Sequence, residues 1–147
     1  MARPYRMTFV RRLVNWIIRT LLQLGLAPPG TYLLTTRGRK SGQLHSTPVT
    51  VVEENGQRWL VSPYGEVGWV YNARAVGQVA LSRGRQSETV QVQELGPVES
   101  APVLQKYLTN VRIVQPFFDV TPTSPLEAFA AEASRHPVFR IGEPIRA

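Results

Sequence analysis

The first hydrophobic pattern along the chain is helical and covers residues 8–26. Its apolar positions are Val10, Leu13, Val14, Ile17, Leu21 and Leu24. They recur at every third or fourth residue, while arginine and amide side chains occupy the opposite face. The pattern predicts an amphipathic helix that packs over a sheet or at a homodimer interface. Because this helix is basic and carries Trp16, peripheral binding to an anionic membrane is the alternative.

From residue 31 the hydrophobic period falls to two, which predicts strands. The predicted strands are residues 31–36, 47–53, 57–64, 79–82, 88–95 and 136–141. Asn55-Gly56 joins the second strand to the third, and both residues tolerate positive φ, so a two-residue hairpin turn is expected there. Pro48 lies inside the second strand and cannot donate to a ladder, which marks an edge or an opening of the sheet.

Three further segments are predicted as helices: residues 68–76, 99–108 and 125–133. About six antiparallel strands with flanking helices favour a small barrel or sandwich, mainly β with added α. A chain of 147 residues forms one domain with its own core. We divide this single domain, residues 1–147, into an N-terminal helix (1–27), the barrel core with its loops (31–95), and the later helices with the closing strand (98–147).

The charge of the chain is unevenly distributed. The net charge is +7, and residues 1–52 contain eight of the 17 lysines and arginines but no acidic residue. This bias favours an anionic partner: a nucleic acid, an acidic membrane surface or a polyanionic small molecule. No apolar run approaches the ~20 residues of a spanning helix. The absence of cysteine excludes disulfides and thiolate metal sites, and it fits a cytoplasmic protein.

The chain offers no constellation of catalytic side chains. His45 and His136 are isolated in the sequence, and no metal-binding motif accompanies either of them, so no metal site is expected. The serines lack the Gly-x-Ser-x-Gly setting of a nucleophile, and paired carboxylates for glycoside chemistry are absent. A bound cofactor therefore explains an enzymatic activity better than the side chains do.

The best candidate for an anion site is the glycine turn, residues 37–42, which reads Arg-Gly-Arg-Lys-Ser-Gly. Glycine lets backbone N–H groups approach a ligand closely, and Arg and Lys form charge-assisted bonds to phosphates and carboxylates. By itself the turn is also compatible with a solvated loop between strands.

Four segments in order resemble the deazaflavin (F420)-dependent nitroreductase family. They read LLTTRGRKSGQLHSTPVTVV, WLVSPYG, WVYNARA and RGRQSETVQVQEL, and together they cover residues 31–95. The resemblance implies an antiparallel split β-barrel, of the FMN-binding split-barrel type, that uses coenzyme F420.

The resemblance also implies which residues bind the cofactor. The anionic tail of the cofactor would be bound by Arg39, Lys40 and Ser41 of the glycine turn. The strand that follows would line the cofactor with His45, Ser46, Thr47, Pro48, Val49 and Thr50. The end of the third strand and the next helix would contribute near the ring through Ser62, Pro63, Tyr64, Gly65, Gly68, Trp69, Val70, Tyr71 and Asn72. For Trp69, a core anchor beneath the short helix is the alternative.

The activity implied is hydride transfer from reduced F420 to a flat, electron-poor acceptor such as a quinone or a nitroaromatic. Tyr64 or Tyr71 would act as the proton donor. Where the family's well-known reductase has C-terminal tyrosines linked to substrate binding, this chain has Phe117 and Phe118. One rival is a split-barrel protein that binds FMN, haem or a fatty acid without F420 chemistry. A basic nucleic-acid-binding module is disfavoured, since the aromatic residues follow apolar patterns and are not interleaved with the cations.

Overall fold

The strands of the chain pair into one closed barrel. A computed structural model describes residues 12–13, 16–17, 30–38 and 40–145. The strands are β1 (Thr31–Arg37), β2 (Leu44–Glu54), β3 (Gln57–Val61), β4 (Gln78–Arg83), β5 (Gln86–Glu94) and β6 (Val138–Pro144). The helices are α1 (Gly68–Val76), α2 (Pro97–Asn110) and α3 (Leu126–Glu132), with a 3₁₀ helix at Arg112–Phe117.

The barrel has the order β1-β2-β3-β6-β5-β4, and every pairing in it is antiparallel. The predicted fold class is therefore confirmed. The predicted hairpin turn is confirmed too, since Asn55 and Gly56 both have positive φ, 53° and 78°. The predicted N-terminal helix lies largely outside the described residues; the two short pieces that are described, 12–13 and 16–17, are helical.

The third predicted strand was wrong at its end. β3 stops at Val61, and residues 62–65 leave the strand in a turn. The Ser62 hydroxyl donates to the carbonyl of Gly65 and closes this turn. Such local bonds from serine to the backbone compete with strand pairing. The closing strand likewise begins later than expected, at Val138, which leaves His136 outside the sheet.

Two apolar clusters form the core. Alternation along β2 sends Val51 into the barrel and Val52 to its outer face. Helix α1 closes one end of the inner cluster with Trp69, whereas α2 and α3 cover the outer cluster with Leu104 and Phe129. The helical layer therefore lies against the same outer face of β2 and β3 from which the 62–65 turn departs.

The barrel has an opening along β2. Residues 44–50 of β2 pair with β1, but β3 pairs with β2 only over Val51–Glu54. Within the described residues, the other side of 44–50 therefore has no strand partner. Pro48 lies in this stretch, opposite Leu33 of β1, so the predicted edge at Pro48 is confirmed.

Candidate functional site

We call the space along the unpaired side of residues 44–50 the β2 groove. The 62–65 turn continues from β3 along this side, and α1 follows it. Asn72 of α1 donates to the Thr36 hydroxyl over 3.1 Å, and Thr36 faces His45 across the β1–β2 ladder. Of the predicted segments, residues 44–50 line the groove, and the 68–76 helix is joined through Asn72 to the neighbouring strand β1.

The glycine turn closes the end of the β1–β2 hairpin beside this groove. The Gly38 N–H donates to the Gln43 carbonyl over 2.7 Å, and Arg37 Nη1 donates to the Gly42 carbonyl over 2.7 Å. A Cβ atom on Gly38 would lie 2.8 Å from Ser41 Oγ and 3.2 Å from His45 Nε2. A side chain at position 38 would therefore occupy the concavity of the turn and displace the side chains of Ser41 and His45.

The turn presents positive charge without a neutralising partner. Lys40 and Ser41 are exposed, and no carboxylate of the described residues pairs with Lys40. Arg39 lies outside the described residues. An exposed cation without a carboxylate partner favours an anionic ligand.

Carboxylates near the groove are instead neutralised by Arg74 of α1. Its Nε and Nη2 donate to the two carboxylate oxygens of Glu94, each over 2.7 Å, and its Nη1 donates to Glu66. These bonds raise the pKa of the Arg74 guanidinium, so it stays charged. The Arg74 guanidinium also lies 5.8 Å from the ring centre of Tyr71. Helix α1 is thereby fastened to β5 and to the segment that follows the 62–65 turn.

The predicted β2 residues divide between the surface and the core. His45 is exposed, Thr47, Pro48 and Thr50 are half-buried, and the Ser46 hydroxyl bonds the Thr35 hydroxyl over 2.8 Å. Val49 is buried in the inner cluster. Polar contacts with a ligand in this stretch would therefore come from His45, Thr47 and Thr50.

In α1 and the 62–65 turn, several predicted residues point inward. The Trp69 indole packs on Phe139 with ring centres 5.7 Å apart, as the core-anchor alternative predicts. Val70 and Ser62 are fully buried, and Asn72 is 4% exposed. These four residues therefore belong to the protein interior, and contacts with a ligand would come from their more exposed neighbours. Pro63, Gly65 and Gly68 lie at the surface or half-buried beside them.

The two tyrosines proposed as proton donors occupy the two ends of this segment. Tyr71 is 40% exposed on α1. Tyr64 is half-buried and meets Phe117 edge to face, with ring centres 5.1 Å apart. Burial raises the pKa of the Tyr107 phenol, and the nearby Tyr64 phenol raises it further. Tyr64 thus packs against the helical layer, whereas Tyr71 is exposed to solvent.

One buried polar pair was missed by the sequence reasoning. The expectation that His136 is isolated is wrong: its Nε2 lies 3.3 Å from Oε2 of Glu132, and both residues are almost fully buried. Burial lowers the pKa of His136 to about 4 and raises the pKa of Glu132. The four-residue spacing of Glu132 and His136 was the available signal. We call these two residues the buried pair.

Two concavities of the described residues lie outside the β2 groove. The larger, about 500 Å³, is lined by Tyr32, Leu81, Arg83, Arg85, Gln86, Ser87 and Glu88 at the β4–β5 turn. A smaller one of about 290 Å³ lies between the β2–β3 hairpin and α2, near Trp59 and Lys106. Neither contains a predicted site residue. The case for a ligand site at the β2 groove therefore depends on the unpaired side of β2 and on the positive charge of the glycine turn. The larger concavity is the competing location for the ligand.

Comparison with known proteins decides the family. The F420H(2)-dependent quinone reductase family matches residues 8–121, which is most of the chain. The chain belongs to this family. It is an oxidoreductase that uses coenzyme F420, with a quinone as the class of acceptor. The resemblance read from the sequence is thereby confirmed.

Solved structures show the same fold at low identity. An F420-H2 dependent reductase is 24% identical with a TM-score of 0.51, over 78% of this chain and 95% of that one. A protein described as a domain-swapped dimer is 21% identical with a TM-score of 0.55, over 91% and 97%. A NimC/NimA family protein from Clostridium acetobutylicum is 13% identical with a TM-score of 0.54, over 93% and 90%. No curated relative matches the chain.

The helices of the described part of the chain are short. No helix there has the length and apolar character needed to cross a bilayer. The proposed membrane contact concerns residues 8–26, which the structure describes only at 12–13 and 16–17.

Proposed function

We propose that F420 binds along the β2 groove with its anionic tail at the glycine turn, and that a quinone is reduced there. The observation that supports this most is the junction of an unpaired strand side with an unneutralised cationic turn. A flat ring can lie along a strand side that no neighbouring strand covers, and a phosphodiester and glutamate tail needs charge-assisted donors.

The residues present fit that cofactor. The glycine turn keeps a concavity that a Cβ on Gly38 would fill, and it carries Arg37 and Lys40 in the described residues, with Arg39 between them in the sequence. Nearby Glu66 is already paired with Arg74. Little negative charge is therefore left to repel an anionic tail.

Each part of the site has a separate role in this proposal. When bound, reduced F420 supplies a hydride, and a quinone that gains this hydride and one proton becomes a hydroquinone. Arg39, Lys40 and Ser41 hold the tail, while His45, Thr47 and Thr50 orient the ring from β2. The 62–65 turn and α1 exclude water from the other side. Tyr64 or Tyr71 gives the proton to the quinone oxygen and recovers it from solvent.

The first experiment locates the tail. F420 is titrated by quenching of tryptophan fluorescence, with Trp59 and Trp69 as reporters. The change of Arg39→Ala with Lys40→Ala should raise the Kd at least about 100-fold, since it removes two charge-assisted donors. Arg85→Ala is the matched control, because it removes an exposed arginine at the β4–β5 turn. A loss confined to the Arg85 variant would move the cofactor to the larger concavity.

The second experiment identifies the proton donor. Tyr64→Phe and Tyr71→Phe keep the ring and remove only the hydroxyl. One of them should lower kcat for menadione by more than tenfold while the Kd for F420 changes less than threefold, because proton transfer contributes about 10²-fold or more. Losses below tenfold in both variants would remove the tyrosines from this role.

Two finer points belong to the same proposal. Nitroaromatics are a second acceptor class, since they are flat and electron-poor like quinones. A homodimer is a further expectation, supported by the domain-swapped dimer of similar fold. FMN is the competing cofactor: FMN binding with indifference to F420 in the titration would overturn the cofactor assignment at this site.

A further inference from the structure

The segment that precedes β6 contacts the 62–65 turn through polar groups at positions 136 and 137. The Ser62 N–H donates to the carbonyl of Pro137 over 3.0 Å. The Ser62 carbonyl in turn lies 3.4 Å from Nδ1 of His136. Both backbone groups of Ser62 thus have their partners at positions 136 and 137, and the turn cannot move without breaking them.

His136 also supports the packing partner of Tyr64. Its ring stacks on Phe118, with centres 3.7 Å apart and planes 15° from parallel. The adjacent Phe117 meets Tyr64 edge to face. The imidazole is therefore connected to Tyr64 along two routes, through the backbone of the turn and through the two phenylalanines.

Glu132 fixes the imidazole from the other side. Its Oε1 accepts from the Asp119 N–H over 2.8 Å and from Arg135 Nη2 over 3.1 Å. Its Oε2 faces His136 Nε2 but falls outside hydrogen-bond geometry, and no other described group satisfies it. A neutral imidazole with its proton on Nδ1 can donate to the Ser62 carbonyl, and Glu132 Oε2 then lies beside the unprotonated Nε2 at 3.3 Å.

The geometry points to His136, oriented by Glu132, as a positioning residue that sets the 62–65 turn and the packing of Tyr64, and thereby fixes the position of the Tyr64 hydroxyl. This inference rests on the proposed function, in which Tyr64 is one of the two candidate proton donors. His136 itself touches neither cofactor nor quinone in this account, and acts only through Ser62 and Phe118.

A buried polar pair of this kind is a poor device for stability alone. Burying two titratable groups costs free energy that apolar side chains of similar volume avoid. The presence of the buried pair beside the turn is explained if it orients the turn. Hydrogen bonds fix the direction of a group, whereas apolar contacts do not.

Two isosteric amides test the inference. In His136→Asn the amide nitrogen takes the place of Nδ1 and keeps the bond to Ser62. In His136→Gln the nitrogen takes the place of Nε2, so it reaches Glu132 and leaves Ser62. With F420H2 and menadione, His136→Gln should lower kcat about tenfold, and His136→Asn less than threefold, because a displacement of a reacting group by about 1 Å can cost up to 10²-fold. The KM for menadione and the Kd for F420 should stay within about threefold in both.

A double-mutant cycle with Tyr64→Phe separates positioning from stability. If His136 acts through the Tyr64 hydroxyl, His136→Gln changes kcat less than twofold in the Tyr64→Phe background. An equal loss in both backgrounds, or equal losses for Asn and Gln, overturns the inference and leaves the proposed function in place. A Tyr64→Phe variant that keeps its rate overturns the inference together with the role of Tyr64. The Kd for F420, measured independently, still reports on the β2 groove.

Discussion

The glycine turn and the buried pair are built in opposite ways. The described part of the turn is mostly exposed, its backbone groups bond one another, and its described cations, Arg37 and Lys40, have no carboxylate partner among the described residues. The buried pair is almost fully excluded from water, and one oxygen of Glu132 there has no hydrogen bond. The turn is organised to meet a ligand, whereas the pair is organised to hold the protein itself. Changes in the first should alter binding, and changes in the second should alter stability and rate.

Reversal of charge in the turn should give the largest single effect. Lys40→Glu places a carboxylate where the anionic tail is expected, and we expect the Kd for F420 to rise about 100-fold or more. Because Lys40 is exposed, the Tm should stay within about 1 °C, since surface substitutions seldom exceed 0.5 kcal/mol. Binding is followed by tryptophan quenching and Tm by circular dichroism. An unchanged Kd would contradict the assignment of the turn.

The opposite outcome is expected at the buried pair. Glu132→Ala removes the acceptor of the Asp119 N–H and leaves His136 without its carboxyl neighbour, which should lower the free energy of unfolding by about 2–3 kcal/mol. Glu127→Ala on the same helix is the control, since Glu127 is exposed, and its cost should be about 0.5 kcal/mol or less. Urea titration measures both. Equal losses in the two variants would show that burial of Glu132 has no special role.

The sequence allowed the turn to be predicted but not the pair, and the reason is physical. Glycines and cations that are adjacent in the chain predict a donor-rich turn without any knowledge of the fold. Asn55-Gly56 predicts its hairpin turn in the same way. Glu132 lies only four residues before His136, but the other partners of His136 are distant, since Ser62 lies 74 residues earlier. Arg74 reaches Glu94 across 20 residues. Contacts of this kind exist only once the barrel has closed.

The error at the end of β3 has the same origin. Composition continues to favour a strand through Tyr64, but the bond from Ser62 to Gly65 closes a turn there, and the backbone groups of Ser62 face positions 136 and 137. β3 therefore ends before it can pair with residues 44–50 of β2. The cofactor segments could be named from the resemblance, whereas the inward direction of Trp69 and Val70 required the structure.

The buried pair should also make the free energy of unfolding depend on pH. Burial lowers the pKa of His136 to about 4, so the unfolded chain binds a proton there that the folded chain does not. Stability should therefore fall as pH falls from about 6.5 to 4, by about 1.4 kcal/mol per pH unit for one proton. The raised pKa of Glu132 acts in the opposite direction, because the folded chain then holds a proton that the unfolded chain releases.

The two contributions can be separated with Glu132→Gln. This variant keeps a hydrogen-bonding neighbour for His136 and removes the carboxyl titration. Its free energy of unfolding should decline more steeply between pH 6.5 and 4 than that of the wild type. Parallel curves from urea titrations across this range would show that the two groups do not oppose each other.

The smallest effect is expected at Arg74. Arg74→Gln frees the carboxylate of Glu66 beside the β2 groove, which should weaken F420 binding about three- to tenfold by repulsion. The cost in stability should be about 1 kcal/mol or less, because the guanidinium is partly exposed. Adding Glu66→Gln should restore the affinity. If the Kd for F420 of Arg74→Gln equals that of the wild type, Glu66 lies away from the ligand.

The most direct measurement is a crystal structure of the chain in complex with F420. The account predicts density for the cofactor along residues 44–50 of β2, with the phosphate or glutamate tail within hydrogen-bond distance of Lys40 and Arg39. The β4–β5 turn, where Arg83 and Arg85 line the larger concavity, lies at the other end of β1, about 20 Å away at the usual rise of a strand. A tail bound at that turn, with residues 44–50 free of ligand, would contradict the central claim.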